Sequence, residues 1–209
     1  MTRRLVVVTA GLGTPSSTRL LSDRLAAAVT RTLQAAGETV ELEVVELRPL
    51  AHALADNLLT GFPTGALADA VEAVRRADAL VAVTPVFSAS YSGLFKQFFD
   101  VLDLGTLEGT PVLVGATAGT ARHSLVLDHA LRPLFSYLRA VVVPTGVFAA
   151  SEDFAGTGDG ALSTRIERAA GELAAMVAAR PVVAGGDDRH PGDAPLADLV
   201  PFEELLRRA

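Results

Sequence analysis

Short apolar, β-branched runs alternate five times with longer stretches whose apolar residues recur at helical spacing, and this alternation constrains the fold of the 209-residue chain most strongly. Strands are expected at residues 4–9, 40–47, 79–83, 111–117 and 140–143. Helices are expected at 16–36, 66–76, 93–102, 124–138 and 162–179. In the first helix Leu21, Leu25, Ala28, Val29, Thr32 and Leu33 make the apolar stripe, and Gly37 stops it. Pro133 falls inside the fourth helix, where its ring and missing N–H predict a kink or a π-bulge near residues 131–133. Strands separated by helices pair in parallel, because each helix crosses back over a face of the sheet.

The expected fold class is α/β, a three-layer α/β/α sandwich around a five-stranded parallel sheet. This rhythm fits a flavodoxin-like sheet of order 2-1-3-4-5; periodicity alone also fits a Rossmann sheet. Residues 1–180 suffice for one such domain. Residues 181–209 read as a C-terminal extension, with a Gly-, Asp- and Pro-rich linker at 182–195 and a short amphipathic helix at 201–208. The small, acidic, Gly-rich residues 149–160 are expected to form an exposed loop.

Half of the residues are hydrophobic, and mean hydropathy is +0.37. Even so, no apolar run approaches the roughly 18 residues of a membrane span. Met1-Thr2-Arg3-Arg4-Leu5 runs straight into the first strand without a signal pattern, so a cytoplasmic protein is expected. With no Cys, disulfides and thiolate chemistry are excluded. The net charge of −6 and the scattered basic residues disfavour nucleic acid. His52, His123, His129 and His190 lack metal-ligand spacing, so no metal is expected. No G-x-S-x-G supports a serine hydrolase. Lys96 is the only Lys beside 17 Arg, which marks it for a specific role or leaves it as a solvated helix residue.

Loops at the carboxyl ends of parallel strands are where such sheets bind ligands. The first is Thr9-Ala10-Gly11-Leu12-Gly13-Thr14-Pro15-Ser16-Ser17-Thr18-Arg19. Gly11, the hydroxyls of Ser16, Ser17 and Thr18, Arg19 and the opening N–H groups of the helix make a plausible phosphate cradle. Ser16 or Ser17 equally suits a plain helix cap. A P-loop is excluded because it requires a Lys. Gly11 and Gly13 fit part of a dinucleotide fingerprint, with Glu43 or Glu46 as its ribose acid, but Ser16 stands where its third Gly belongs.

The second loop lies in Thr84-Pro85-Val86-Phe87-Ser88-Ala89-Ser90-Tyr91-Ser92-Gly93-Leu94-Phe95-Lys96. This segment closely resembles the second flavin loop of the NAD(P)H-dependent FMN reductases, T-P-x-[YF]-x-x-x-Y-S-G-x-[LF]-K. The third loop, Ala116-Thr117-Ala118-Gly119-Thr120, resembles the family's A-T-G-G-T with Ala118 for the first Gly. Ser16-Ser17-Thr18 resembles the end of the family's phosphate loop, G-S-P-R-x-x-S-x-[ST], although the Arg is missing here. The likeness spans residues 5–180 and is greatest for the FMN reductases that serve luciferase-like or alkanesulfonate monooxygenases. In those relatives the fourth helix carries a π-insertion at a subunit interface, and His129 stands here where some have Tyr.

The resemblance implies FMN and NADPH or NADH as cofactors, with hydride passing from nicotinamide C4 to flavin N5. The FMN phosphate would lie on the first loop. The ring would lie against Pro85, Val86, Phe87, Ser88 and Ser90 from the second loop, and Thr117, Ala118, Gly119 and Thr120 from the third. Arg122 would serve the ring edge or a nicotinamide phosphate, or else form a surface ion pair. The cofactor supplies the chemistry, so no catalytic side chain is expected. The resemblance also implies a homodimer or homotetramer that hands reduced FMN to a monooxygenase. The alternatives are a quinone or azo reductase that keeps its FMN, or an electron-transfer flavoprotein without NAD(P)H activity.

Overall fold

A computed structural model describes residues 2–154 and 159–180. The expected extension at 181–209, with its linker and short helix, lies outside the described residues. β1 (Thr2–Thr9) is flanked by β2 (Thr39–Glu46) and β3 (Ala79–Phe87), and β3 in turn pairs with β5 (Pro111–Ala118). The far edge is β6 (Val141–Val142) followed by β7 (Val147–Ala150). All of these pairings are parallel, and the order β2-β1-β3-β5-β6 is the expected 2-1-3-4-5.

Side-chain alternation divides the core between the two faces of the sheet. Val6, Val8, Leu80 and Ala82 point to one face, with α3 (Ala66–Arg75) and α4 (Gly93–Asp100). Leu5, Val7, Val81 and Val83 point to the other, with α1 (Ser17–Ala35) and α6 (Asp159–Ala179). The first core is the aromatic one. Phe95 and Phe99 of α4 meet Phe135 of α5 (Arg132–Tyr137), with the Phe99 and Phe135 centroids 5.0 Å apart, and Phe98 stands edge-on to Phe99.

Three sequence expectations need correction. Among the described residues the sheet has seven strands rather than five. One of the added strands is β4 (Ser90–Tyr91), which folds back antiparallel on β3. The other arises because the fifth parallel strand is split. Pro144 has no N–H to continue the ladder, and Thr145 is turned aside to Glu172, which accepts from its N–H at 2.7 Å and from its hydroxyl at 2.7 Å. Pairing resumes at Val147 opposite Gly115. Within the stretch expected as an exposed loop, Ala149 and Ala150 are instead buried in β7 and Ser151–Phe154 forms a 3-10 turn, while residues 155–158 lie outside the described residues. A helix that periodicity did not suggest, α2 (Ala51–Thr60), follows β2.

The distortion expected near Pro133 is present as a π-helical turn, Leu127–Leu131, running into α5. Arg132 N–H donates to the Leu127 carbonyl five residues back. The arginine's guanidinium then ties this turn to the split strand, with Nε on Asp128 at 2.9 Å and Nη1 on the Val143 carbonyl at 2.9 Å.

Candidate functional site

The carboxyl ends of β1, β3 and β5 lie side by side and bring the three loops together. Ala10 N–H donates to the Val83 carbonyl at 3.0 Å. Pro85 stands in register with Thr117. The hydroxyls of Thr18, on α1, and Thr117, on β5, share a buried 2.7 Å hydrogen bond. Thr117→Val would leave the Thr18 hydroxyl buried without a partner, so a loss of about 1–3 kcal/mol is expected in urea denaturation. Replacing both threonines with Val should cost less than Thr117→Val alone, because no polar group is then stranded.

The first loop encloses a cavity of about 340 Å3 lined by Thr9, Gly11, Gly13, Thr14, Pro15, Ser16, Arg19, Leu20, Asp23, Glu46 and Arg48. The Thr14-Pro15 peptide bond in its wall is cis. Ser16 caps α1 with extended backbone, its Oγ accepting from Arg19 N–H at 3.2 Å. Gly11 is closely packed, since a Cβ built there would stand 2.2 Å from Ser16 Oγ. Thr9 is 2 % exposed and, among the described residues, its Oγ1 has no hydrogen-bond partner. A buried orphan hydroxyl beside an opened helix N-terminus fits a polar, anionic ligand group.

Arg19 is engaged within the cavity wall. Its Nε donates to Asp23 at 2.8 Å, and its Nη1 meets Glu46 from the end of β2. The Asp23 hydrogen bond leads the interactions that hold Arg19 above the ordinary guanidinium value. Of the other expected phosphate residues, Ser17 is exposed at the start of α1, and Thr18 is buried against Thr117. Sequence reasoning missed Arg48, whose Nη1 donates to Thr14 Oγ1 at 2.9 Å. The available signal was topological: β2 lies beside β1, so the residue just past its end reaches the first loop.

The second loop starts later than the sequence suggests, because β3 continues through Pro85 to Phe87. A proline fits there because β1 ends at Thr9, opposite Val83, and leaves Pro85 no ladder partner on that side. Ser88 and Ala89, at φ 48° and 65°, then make a two-residue turn into β4. Such turns favour Gly and Asn, so the tip is strained by about 1 kcal/mol or more per residue. It holds Phe87 48 % exposed, with Ser88 exposed and Pro85, Val86 and Ser90 half-buried. The base is fixed by Thr84 and Ser92. Ser92 N–H donates to Thr84 Oγ1 at 3.0 Å, and Ser92 Oγ caps α4 by accepting from Phe95 N–H at 3.2 Å.

In the third loop Thr117 is buried, Ala118 half-buried, and Gly119 and Thr120 exposed. Arg122 and His123 follow in an exposed 3-10 turn. Lys96 forms an ion pair with Asp100 one helical turn away, which accounts for it as a surface residue of α4. Among the described residues, no group of His, Asp or Glu is arranged to hold a metal ion, and no helix is long and apolar enough to cross a membrane.

Residues 3–155 match the model of a family described as NADPH-dependent FMN reductase. An FMN reductase (NADPH) of Pseudomonas aeruginosa is 40% identical over 72% of this chain and 78% of its own length. An NADH-dependent FMN reductase, SfnF, of Pseudomonas fluorescens is 44% identical over 74% and 81%. An oxidoreductase of Corynebacterium diphtheriae superposes with a TM-score of 0.83 at 52% identity, covering 86% of this chain and 99% of that one. The apo form of an NADH:FMN oxidoreductase, EmoB, superposes with a TM-score of 0.74 at 27% identity, covering 86% and 92%. By fold and by sequence, the chain belongs to the NADPH-dependent FMN reductase family.

Proposed function

We propose that this protein is a flavin reductase that binds FMN at the carboxyl edge of its sheet, oxidises NADPH or NADH, and supplies reduced FMN to a monooxygenase. The observation that carries the site is the polar cavity at the start of α1, where Thr9 is buried without a hydrogen-bond partner among the described residues and Ser16 Oγ accepts from Arg19 N–H in the first turn. Gly11, Ser16, Ser17 and Thr18 would surround the phosphate, whose charge suits the positive end of α1, while Arg19 stands in the cavity wall bonded to Asp23 and Glu46. Phe87, exposed at the strained tip, would lie against the ring with Pro85, Val86, Ser88 and Ser90. Thr117, Ala118, Gly119 and Thr120 would border its other edge. Bound FMN would supply the hydride acceptor. The chain's own contribution would be to hold the ring at two loops rooted on adjacent strands, β3 and β5.

The relatives named for NADPH and for NADH support a nicotinamide reductant. We further assign residues 1–180 as the flavin domain, the cytoplasm as its location, and a homodimer or homotetramer as its assembly. Exposed Leu125 and Tyr137, flanking the π-helical turn, support an assembly contact there. The purified protein is expected to oxidise NADPH or NADH only when FMN is added. No oxidation of either nucleotide, with FMN binding demonstrated, would reject the reductase and favour an electron carrier.

A further inference from the structure

We infer that Arg48 is the residue that makes this site select FMN over riboflavin, with Arg19 serving to neutralise the acidic wall rather than to bind phosphate. The inference rests on the flavin-site reading above. Four charged side chains line the cavity: Arg19, Arg48, Asp23 and Glu46. Arg19 is bonded to both carboxylates, so those three groups together leave one negative charge. Arg48 has no carboxylate partner among the described residues; its one hydrogen bond goes to the neutral Thr14 hydroxyl. Its guanidinium therefore retains unpaired donors and an unneutralised charge at the cavity wall.

The wall without Arg48 would repel a phosphate. With it, the side chains are balanced, and the dipole and free N–H groups of α1 tip the site toward an anion. Thr9, whose buried hydroxyl has no hydrogen-bond partner among the described residues, lines the same cavity. Arg48 stands just past the end of β2 as the first residue of a short 3-10 turn, Arg48–Leu50, with Pro49 next in it. A rigid approach of this kind suits a forked donor better than a flexible ammonium. Riboflavin, which has the ring and ribityl chain without the phosphate, gives Arg48 nothing to bind.

Flavin-fluorescence titration of the full chain with FMN and with riboflavin tests this. Arg48→Ala should raise the FMN dissociation constant about 10- to 100-fold, as expected for loss of a charge-assisted contact. It should leave the riboflavin constant within about twofold. Arg48→Lys should fall between, and the salt dependence of FMN binding should flatten in Arg48→Ala. Equal weakening of both flavins would show a structural effect and overturn the assignment. FMN binding unchanged in Arg48→Ala would overturn it while leaving the reductase intact. Failure of the wild type to bind FMN at all would overturn both.

Discussion

Phe99→Ala is expected to lower the unfolding free energy by about 3–5 kcal/mol, read as a fall in the urea midpoint. Phe99 is 1% exposed, and its ring centroid lies 4.7 Å from Phe95, 5.4 Å from Phe98 and 5.0 Å from Phe135. Truncation removes the transfer free energy of a buried ring and leaves a cavity. Three aromatic contacts, each worth about 0.5–1.5 kcal/mol beyond area, are lost with it. Because a domain of this size has only about 5–15 kcal/mol in total, one side chain carries a large share. The loss should also reach the site, because α4 is capped by Ser92, which fixes the base of the second loop through Thr84. Phe62→Ala is the control. That side chain is 76% exposed, and its removal should shift stability by no more than about 0.5 kcal/mol. A loss below about 1.5 kcal/mol for Phe99→Ala would mean that the neighbouring rings collapse into the space.

The strand and helix pattern carried most of this fold because the central strands are buried on both faces and read as unbroken apolar runs. Residues 79–83 and 112–116 are of this kind. The split edge strand was hidden because its second half is four residues long and abuts an acidic segment. Helix α2 was hidden because only Leu54 and Asn57 are buried along it, too few to draw a stripe. The loops were legible through their Gly, Pro and hydroxyl residues, which mark where backbone must turn or face a ligand. Their charges were not. Arg19 appears in sequence as a free cation beside a phosphate loop, yet it is bonded to Glu46, 27 positions away. Arg48 belongs to no motif and gains its place only when β2 is laid against β1. Local chemistry identifies loops, whereas the pairing of charges depends on tertiary contacts that no single segment encodes.

That distinction gives the second large effect its form. Gly11→Ala should weaken FMN binding about 100-fold or more while lowering stability by only about 1 kcal/mol. The added methyl would stand 2.2 Å from Ser16 Oγ, 3.2 Å from Ser16 Cβ and 3.3 Å from Thr18 Cβ. The first distance is far inside contact, so Ser16 must turn away. Its hydroxyl then leaves Arg19 N–H, ending the helix cap, and leaves the cavity where the phosphate would lie. The close approach to Thr18 pushes on the residue that ties α1 to Thr117, so the first loop moves relative to the third. A displacement of about 1 Å in a positioned site can cost about 100-fold, more than the cap itself. The measurement pairs an FMN titration with urea denaturation of the same variant. Ser16→Ala, which removes only the hydroxyl, should lose the cap and weaken FMN binding less than Gly11→Ala. Equal effects of the two variants would mean that the hydroxyl alone matters and that the backbone position enforced by Gly11 does not.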